Sequence, residues 1–251
     1  MAILDCESYS SSLGSICTLY GITRHDIITF LRKIDVEEEY KSKVIYDTCD
    51  DHIKNLFESR FGKPIKRIRK TRWFHLTRVP MNTDFSEGIL PLHEVLGRIW
   101  DTMEAILVDP QEKNNISALK SSYVPDFQYN LKTHDHHHSG PYAMLVRDAA
   151  FNAKHINNHD YLGVPEIIED ICNGYREAYG CCIYSTIVAA LKKCIVKFES
   201  SKCISEHLIA PALLYCWCKA NAADFHPFAN TCFDSGGKAI PKGRIIRVEF
   251  L

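Results

Sequence analysis

Arg72-Trp73-Phe74-His75-Leu76-Thr77-Arg78, followed after a short interval by Phe85-Ser86-Glu87-Gly88-Ile89-Leu90-Pro91-Leu92, is the stretch on which the reading of this chain turns. The first run mixes aromatic and apolar residues with polar ones, the signature of a strand, and a strand is predicted over 72–79. A histidine at the end of an apolar strand presents its imidazole at a fixed height, with one ring nitrogen free to donate to a ribose hydroxyl or an amide carbonyl. Thr77 adds a hydroxyl and Arg78 a fork of donors suited to a diphosphate, so groups that suit a dinucleotide are crowded together. A plain hairpin with a surface histidine and arginine has the same local pattern. What separates the two is the second run, a glycine-punctuated turn closed by Pro91.

Working outward, residues 1–65 read as a helical N-terminal region. Thr23 is a suitable N-cap for the segment holding Ile27, Ile28, Phe30, Leu31 and Ile34 at helical spacing. A second helix is predicted from about Asp50 through Phe61, ended by Gly62-Lys63-Pro64. From there the character changes: strand-like runs fall at 72–79, 141–147, 193–199, 212–219 and 244–250, among helices near 91–107, 164–178 and 184–192. This irregular interleaving predicts an α+β fold over 66–251. The last strand follows a Pro-Lys-Gly turn and is expected to be paired into a sheet. No repeat or low-complexity tract is visible.

The 251 residues (28.7 kDa) suffice for a full core. Thirty basic against 31 acidic residues leave a net charge of -1, so no global field recruits nucleic acid or membrane, and such a role must be local. The 11 cysteines are odd in number and MAILDCESYSS lacks the basic and apolar parts of a signal peptide, which predicts a reducing cytoplasm. The apolar runs around 183–191 and 208–218 are broken by polar residues or proline, so no membrane span is expected. One local concentration of charge exists: Lys63 through Arg72 carries six basic residues in ten. Lys66, Arg67, Arg69 and Lys70 are the candidate contacts to nucleic-acid phosphates, with a solvated loop as the alternative.

Four motifs, His75-x-Thr77-Arg78, Phe85-x-x-Gly88-Ile-Leu-Pro, Gly140-Pro-Tyr142 running on through Arg147-Asp-Ala-Ala-Phe151, and Glu206-x-Leu-Ile-x-Pro, together make the sequence resemble the ADP-ribosyltransferases, in the branch with a His-Tyr-Glu triad. The resemblance implies a split mixed β-sheet around an NAD cleft, with NAD as substrate and no metal. His75 would anchor the nicotinamide ribose, and His75, Thr77, Arg78, Gly88, Tyr142 and Phe151 would form the NAD contacts. The chain departs from the family where a stacking tyrosine usually follows, so Tyr142 or Phe151 would have to stack on the nicotinamide. For the late glutamate three residues compete: Glu206, at what resembles a strand start, Glu199 at the end of a strand, and Glu249 on the last strand. Such a carboxylate would stabilise the oxocarbenium character that develops when the nicotinamide–ribose bond breaks.

Free-standing transferases of this size with a helical appendage resemble toxins of bacterial toxin–antitoxin or anti-phage systems. That implies a macromolecular acceptor, nucleic acid before protein, and an antitoxin or inhibitor as partner, without a membrane. Two rivals stand beside it: NAD hydrolysis or transfer of an RNA 2′-phosphate on the same architecture, and a non-enzymatic nucleic-acid or protein-binding module. His134-Asp135-His136-His137-His138 reads as a loop over the cleft, since consecutive histidines diverge too much to share one ion. Cys216 and Cys218, spaced as on one face of a strand, read as core residues, and Gly236, Gly237 and Gly243 as turn glycines.

Overall fold

The computed structural model describes residues 2–36, 48–134, 139–202 and 204–251. The fold is α+β. In chain order the elements are β1 (Ala2–Leu4), α1 (Tyr9–Tyr20), α2 (Arg24–Leu31), α3 (Cys49–Phe61), β2 (Ile68–Val79), α4 (Leu92–Ile106), α5 (Pro110–Lys120), α6 (Phe127–His134), β3 (Tyr142–Met144), α7 (Glu166–Tyr179), α8 (Tyr184–Ala190), β4 (Lys192–Ser200), α9 (Ile209–Ala220), β5 (Cys232–Asp234) and β6 (Ile245–Phe250). The strand order is β5-β3-β2-β4-β6, with β1 also beside β2. The sheet is mixed: β1 runs parallel to β2, pairing Ala2 with Ile68 and Leu4 with Thr71, while β3 runs antiparallel to it, pairing Met144 with Phe74.

The chain divides into two compact units, one of residues 1–74, 143–158 and 197–233, the other of 75–142, 159–196 and 234–251. In the first, local chemistry sets the helix ends. Thr23 accepts from the Asp26 amide while the Asp26 carboxylate accepts from the Thr23 amide, a reciprocal cap that starts α2. Ser8 and Ser11 do the same for α1, and Gly21 ends it in the left-handed conformation. Phe57 of α3 meets Tyr20 and Phe30 edge-on, with ring centroids 4.9 and 5.3 Å apart. On the strands, Trp73 lies against Phe233 at 5.3 Å and Phe198 against the same ring at 5.4 Å.

The strand predicted over 212–219 is a helix. Every residue of α9 from Ile209 to Cys218 is buried, and the helix packs on α3 and α1. A run that is apolar on all sides has no period to read, so a buried strand and a buried helix look alike in sequence. Its length favours a helix, and Pro211 is tolerated because it stands in the first turn, where the missing N–H would have no partner. Cys216 and Cys218 are therefore core residues of a helix, not of one strand face. Glu206 does not begin a strand; it lies on a single 3-10 turn, Glu206–Leu208, that leads into α9. The strand expected over 141–147 is confined to Tyr142–Met144, and a 3-10 turn takes Arg147–Phe151.

The second unit has its own core, in which Trp100, Met103, Ile116, Leu119, Ile168, Ile171 and Tyr175 from α4, α5 and α7 are buried together. Gly174 lets α7 approach Val124, since a Cβ there would fall 2.5 Å from the valine Cγ1. Lys132 of α6 is tied to Asp170 at 2.7 Å and to Glu166 at 3.1 Å on α7. Among the described residues, burial pushes the thiols of Cys6, Cys172 and Cys194 up to about 12, leaving them as packing groups. No helix of the described residues is long and apolar enough to cross a membrane.

Candidate functional site

The histidine singled out in the sequence sits within β2, on the second unit, with its Nδ1 2.8 Å from the main-chain oxygen of Tyr142. A carbonyl oxygen only accepts, so Nδ1 carries the proton of this bond. Burial pushes the imidazole below its ordinary pKa, opposed by the bond to Tyr142, so the ring is neutral near pH 7. In that tautomer Nε2 is an acceptor. An acceptor nitrogen can take a hydrogen bond from a hydroxyl, or a proton.

Tyr142 is held by its approach segment. Gly140 is left-handed at φ 64, and a Cβ there would lie 3.0 Å from both the amide nitrogen and the ring of Tyr142. Ser235, 1% exposed, clasps the same segment: its hydroxyl donates to the Gly140 oxygen at 2.5 Å and its amide to the Pro141 oxygen at 3.2 Å. The Ser139 oxygen accepts from the Leu92 amide at the start of α4. Tyr142 itself is 39% exposed.

The glycine turn joins the same assembly. Ile89 and Ile240 exchange both main-chain hydrogen bonds, at 2.9 and 2.8 Å. Gly88 stands at φ 93, and a Cβ on it would fall 2.1 Å from the Ile240 oxygen, so glycine is required by approach as well as conformation. Three motifs distant in sequence, around His75, Gly88 and Tyr142, are thus laced together in one unit, with Asp234-Ser235-Gly236-Gly237-Lys238 as a fourth member. Gly236 and Gly237 read as turn glycines in the sequence, while Ser235 carries no signal there, since only the fold reveals its burial.

Arg78 donates through Nε to the Leu162 oxygen at 2.8 Å and through Nη1 to the Val188 and Leu191 oxygens at 2.6 and 2.9 Å. Much of its fork is therefore spent on tying main-chain segments together. Among the described residues the Thr77 hydroxyl has one long contact, 3.5 Å, to the Arg78 oxygen. Phe151 belongs to the first unit, is 55% exposed and carries the Arg147 guanidinium 5.2 Å from its ring centre. Glu206, exposed, also belongs to the first unit, and its charge acts on Tyr20 and on Lys63, which is paired with Glu58. Glu199 pairs with Lys70, and Glu249 lies 3.3 Å from Arg247.

Of the basic stripe, Lys66, Arg67 and Arg69 are exposed and make no ion pair among the described residues. Lys70 is committed to Glu199, and Arg72 to Asp5 at 2.5 Å. The Asp5 carboxylate also takes Lys197 at 2.9 Å, and Lys197, 4% exposed, reaches Glu7 at 2.6 Å. This cluster, with Asp5 and Lys197 buried and Arg72 and Glu7 half-buried, has no signature in the sequence; its two positive and two negative charges are set against one another. Of the histidine run only His134 lies within the described residues, ending α6 with Nδ1 2.6 Å from the Asn130 oxygen. The loop expected over the cleft, with His136 and His138, lies outside them. Among the described residues no group of His, Cys, Asp or Glu is arranged to hold a metal ion. No protein-family model, curated protein or solved structure matches the chain.

Proposed function

We propose that this chain is a mono-ADP-ribosyltransferase that takes NAD as substrate and modifies a macromolecular acceptor, nucleic acid in preference to protein. The observation that carries the reading is the imidazole of His75, fixed by its Nδ1 bond to the Tyr142 main-chain oxygen, in a frame that includes the exposed ring of Tyr142 and the turn at Gly88. That set suits a nucleotide sugar: an acceptor for a ribose hydroxyl beside an aromatic face for a flat base. The reaction breaks the bond between the ribose anomeric carbon and the nicotinamide nitrogen, nicotinamide leaves with the bonding electrons, and an acceptor hydroxyl or amine adds to the carbon while losing its proton. A carboxylate would steady the cationic sugar and take that proton. Glu206 is the first candidate for it and Glu199 the second.

The exposed Lys66, Arg67 and Arg69 favour a nucleic-acid acceptor, since they are free to meet phosphates. They also support the second reading, a module that binds nucleic acid without chemistry. Incubation of the purified chain with NAD labelled in the adenylate, in the presence of RNA, DNA or protein, separates the readings. Label on a macromolecule supports transfer, free ADP-ribose supports hydrolysis, and intact NAD in every mixture removes the enzyme reading.

A further inference from the structure

β6 is the last strand of the sheet, with β4 on one side and no described strand on the other. Its residues, Ile245-Ile246-Arg247-Val248-Glu249-Phe250, are all half-buried or exposed, Ile246 at 45% and Phe250 at 36%. A sheet edge that no described strand pairs with is a template for pairing with another strand. Just past β6 the Leu251 amide donates to the Lys193 oxygen at 3.0 Å. The two main-chain groups of an extended residue point to one side and those of its neighbour to the other. Glu249, Arg247 and Ile245 therefore turn toward β4, while Phe250, Val248 and Ile246 turn their amides outward.

The sequence around Val248 is complementary to itself when reversed. In an antiparallel pair of two β6 strands centred on Val248, Arg247 of each copy stands opposite Glu249 of the other, Ile246 opposite Phe250, and Val248 opposite Val248. The residues with outward amides then face one another and exchange both main-chain bonds. Side-chain alternation forbids a shift of one residue, because it would oppose side chains from different faces. A centre on Arg247 would oppose two arginines, and a centre on Glu249 two glutamates, both unfavourable. The intrachain contact of Arg247 with Glu249 lies on the same face and would extend into a four-charge network.

We propose that β6 pairs with β6 of a second copy of this chain, joining two sheets across a twofold axis in a concentration-dependent dimer. The interface is small, so the dimer is weak and exchanges freely. Sedimentation equilibrium of the full chain is expected to show a mass rising from one to two copies with concentration. Val248→Pro removes an outward N–H without touching the β4 side and should hold the chain at one copy. Arg247→Glu and Glu249→Arg should each be monomeric alone, since each opposes like charges, while an equimolar mixture of the two variants should form a heterodimer. A parent that stays at one copy at every concentration overturns the proposal. So does a mixture, folded by circular dichroism, that fails to associate, or a single variant that dimerises as well as the parent.

Discussion

The Nδ1 of His75 is bound to the main-chain oxygen of Tyr142, not to its side chain. No substitution of the tyrosine ring therefore breaks the bond that fixes the imidazole. Tyr142→Ala is expected to raise the KM for NAD several-fold through lost stacking, while the acid limb of the kcat/KM profile stays in place. His75→Ala should lower kcat/KM and remove that limb. Steady-state kinetics across pH checks both, and an acid limb that shifts with Tyr142→Ala would separate the titration from His75.

The same histidine makes stability depend on pH. Its folded pKa lies below the unfolded value of about 6.5, so its contribution is complete above that pH and is lost as pH falls through the folded pKa. Thermal unfolding should shift to lower temperature on acidification, and His75→Gln should remove part of that shift. An identical slope in the two proteins would mean other groups carry it.

Gly88→Ala meets both a left-handed backbone and the Ile240 oxygen at 2.1 Å. The conformational part alone costs ~1–3 kcal/mol, and the contact can be relieved only by parting Ile89 from Ile240. Urea unfolding should show a loss of at least that size. Gly97→Ala, at a position where an added Cβ meets nothing within 4 Å, serves as the control and should change little.

Glu206→Ala and Glu199→Ala are to be compared side by side with labelled NAD. Glu206 is exposed on a turn, so its variant should keep the parental far-UV circular dichroism, and abolished turnover in it would assign the carboxylate. Loss confined to Glu199→Ala would move the role to the end of β4, where the residue is paired with Lys70. If both variants turn over NAD at the parental rate, neither is the catalytic carboxylate.

Replacing Lys66, Arg67 and Arg69 together by Ser is expected to weaken modification of RNA or DNA and flatten its salt dependence, leaving NAD hydrolysis unchanged. Lys70 and Arg72 are left intact because Glu199 and Asp5 hold them. Equal acceptor rates in the triple variant and the parent across a range of salt would point to a protein acceptor.

Wherever structure is decided within a few residues, the sequence by itself determined it. Thr23 starts α2 because its hydroxyl and the Asp26 carboxylate satisfy each other's amides, and Gly62 ends α3 because the chain there needs a positive φ. The mix of aromatic and apolar residues with polar ones that marks β2 is equally local. The tertiary structure alone decided what depended on distant neighbours. Residues 209–220 form a helix that the sequence does not announce, because burial on every side leaves no period to read, and Glu206 lies on the turn before it instead of at a strand start. His75, Gly88, Tyr142 and Ser235 share one frame through main-chain hydrogen bonds, which have no side-chain signature in sequence. Arg72 and Arg78 were legible as cations, but which carboxylate or carbonyls would claim them was settled only when the chain brought Asp5, Leu162 and Leu191 within reach.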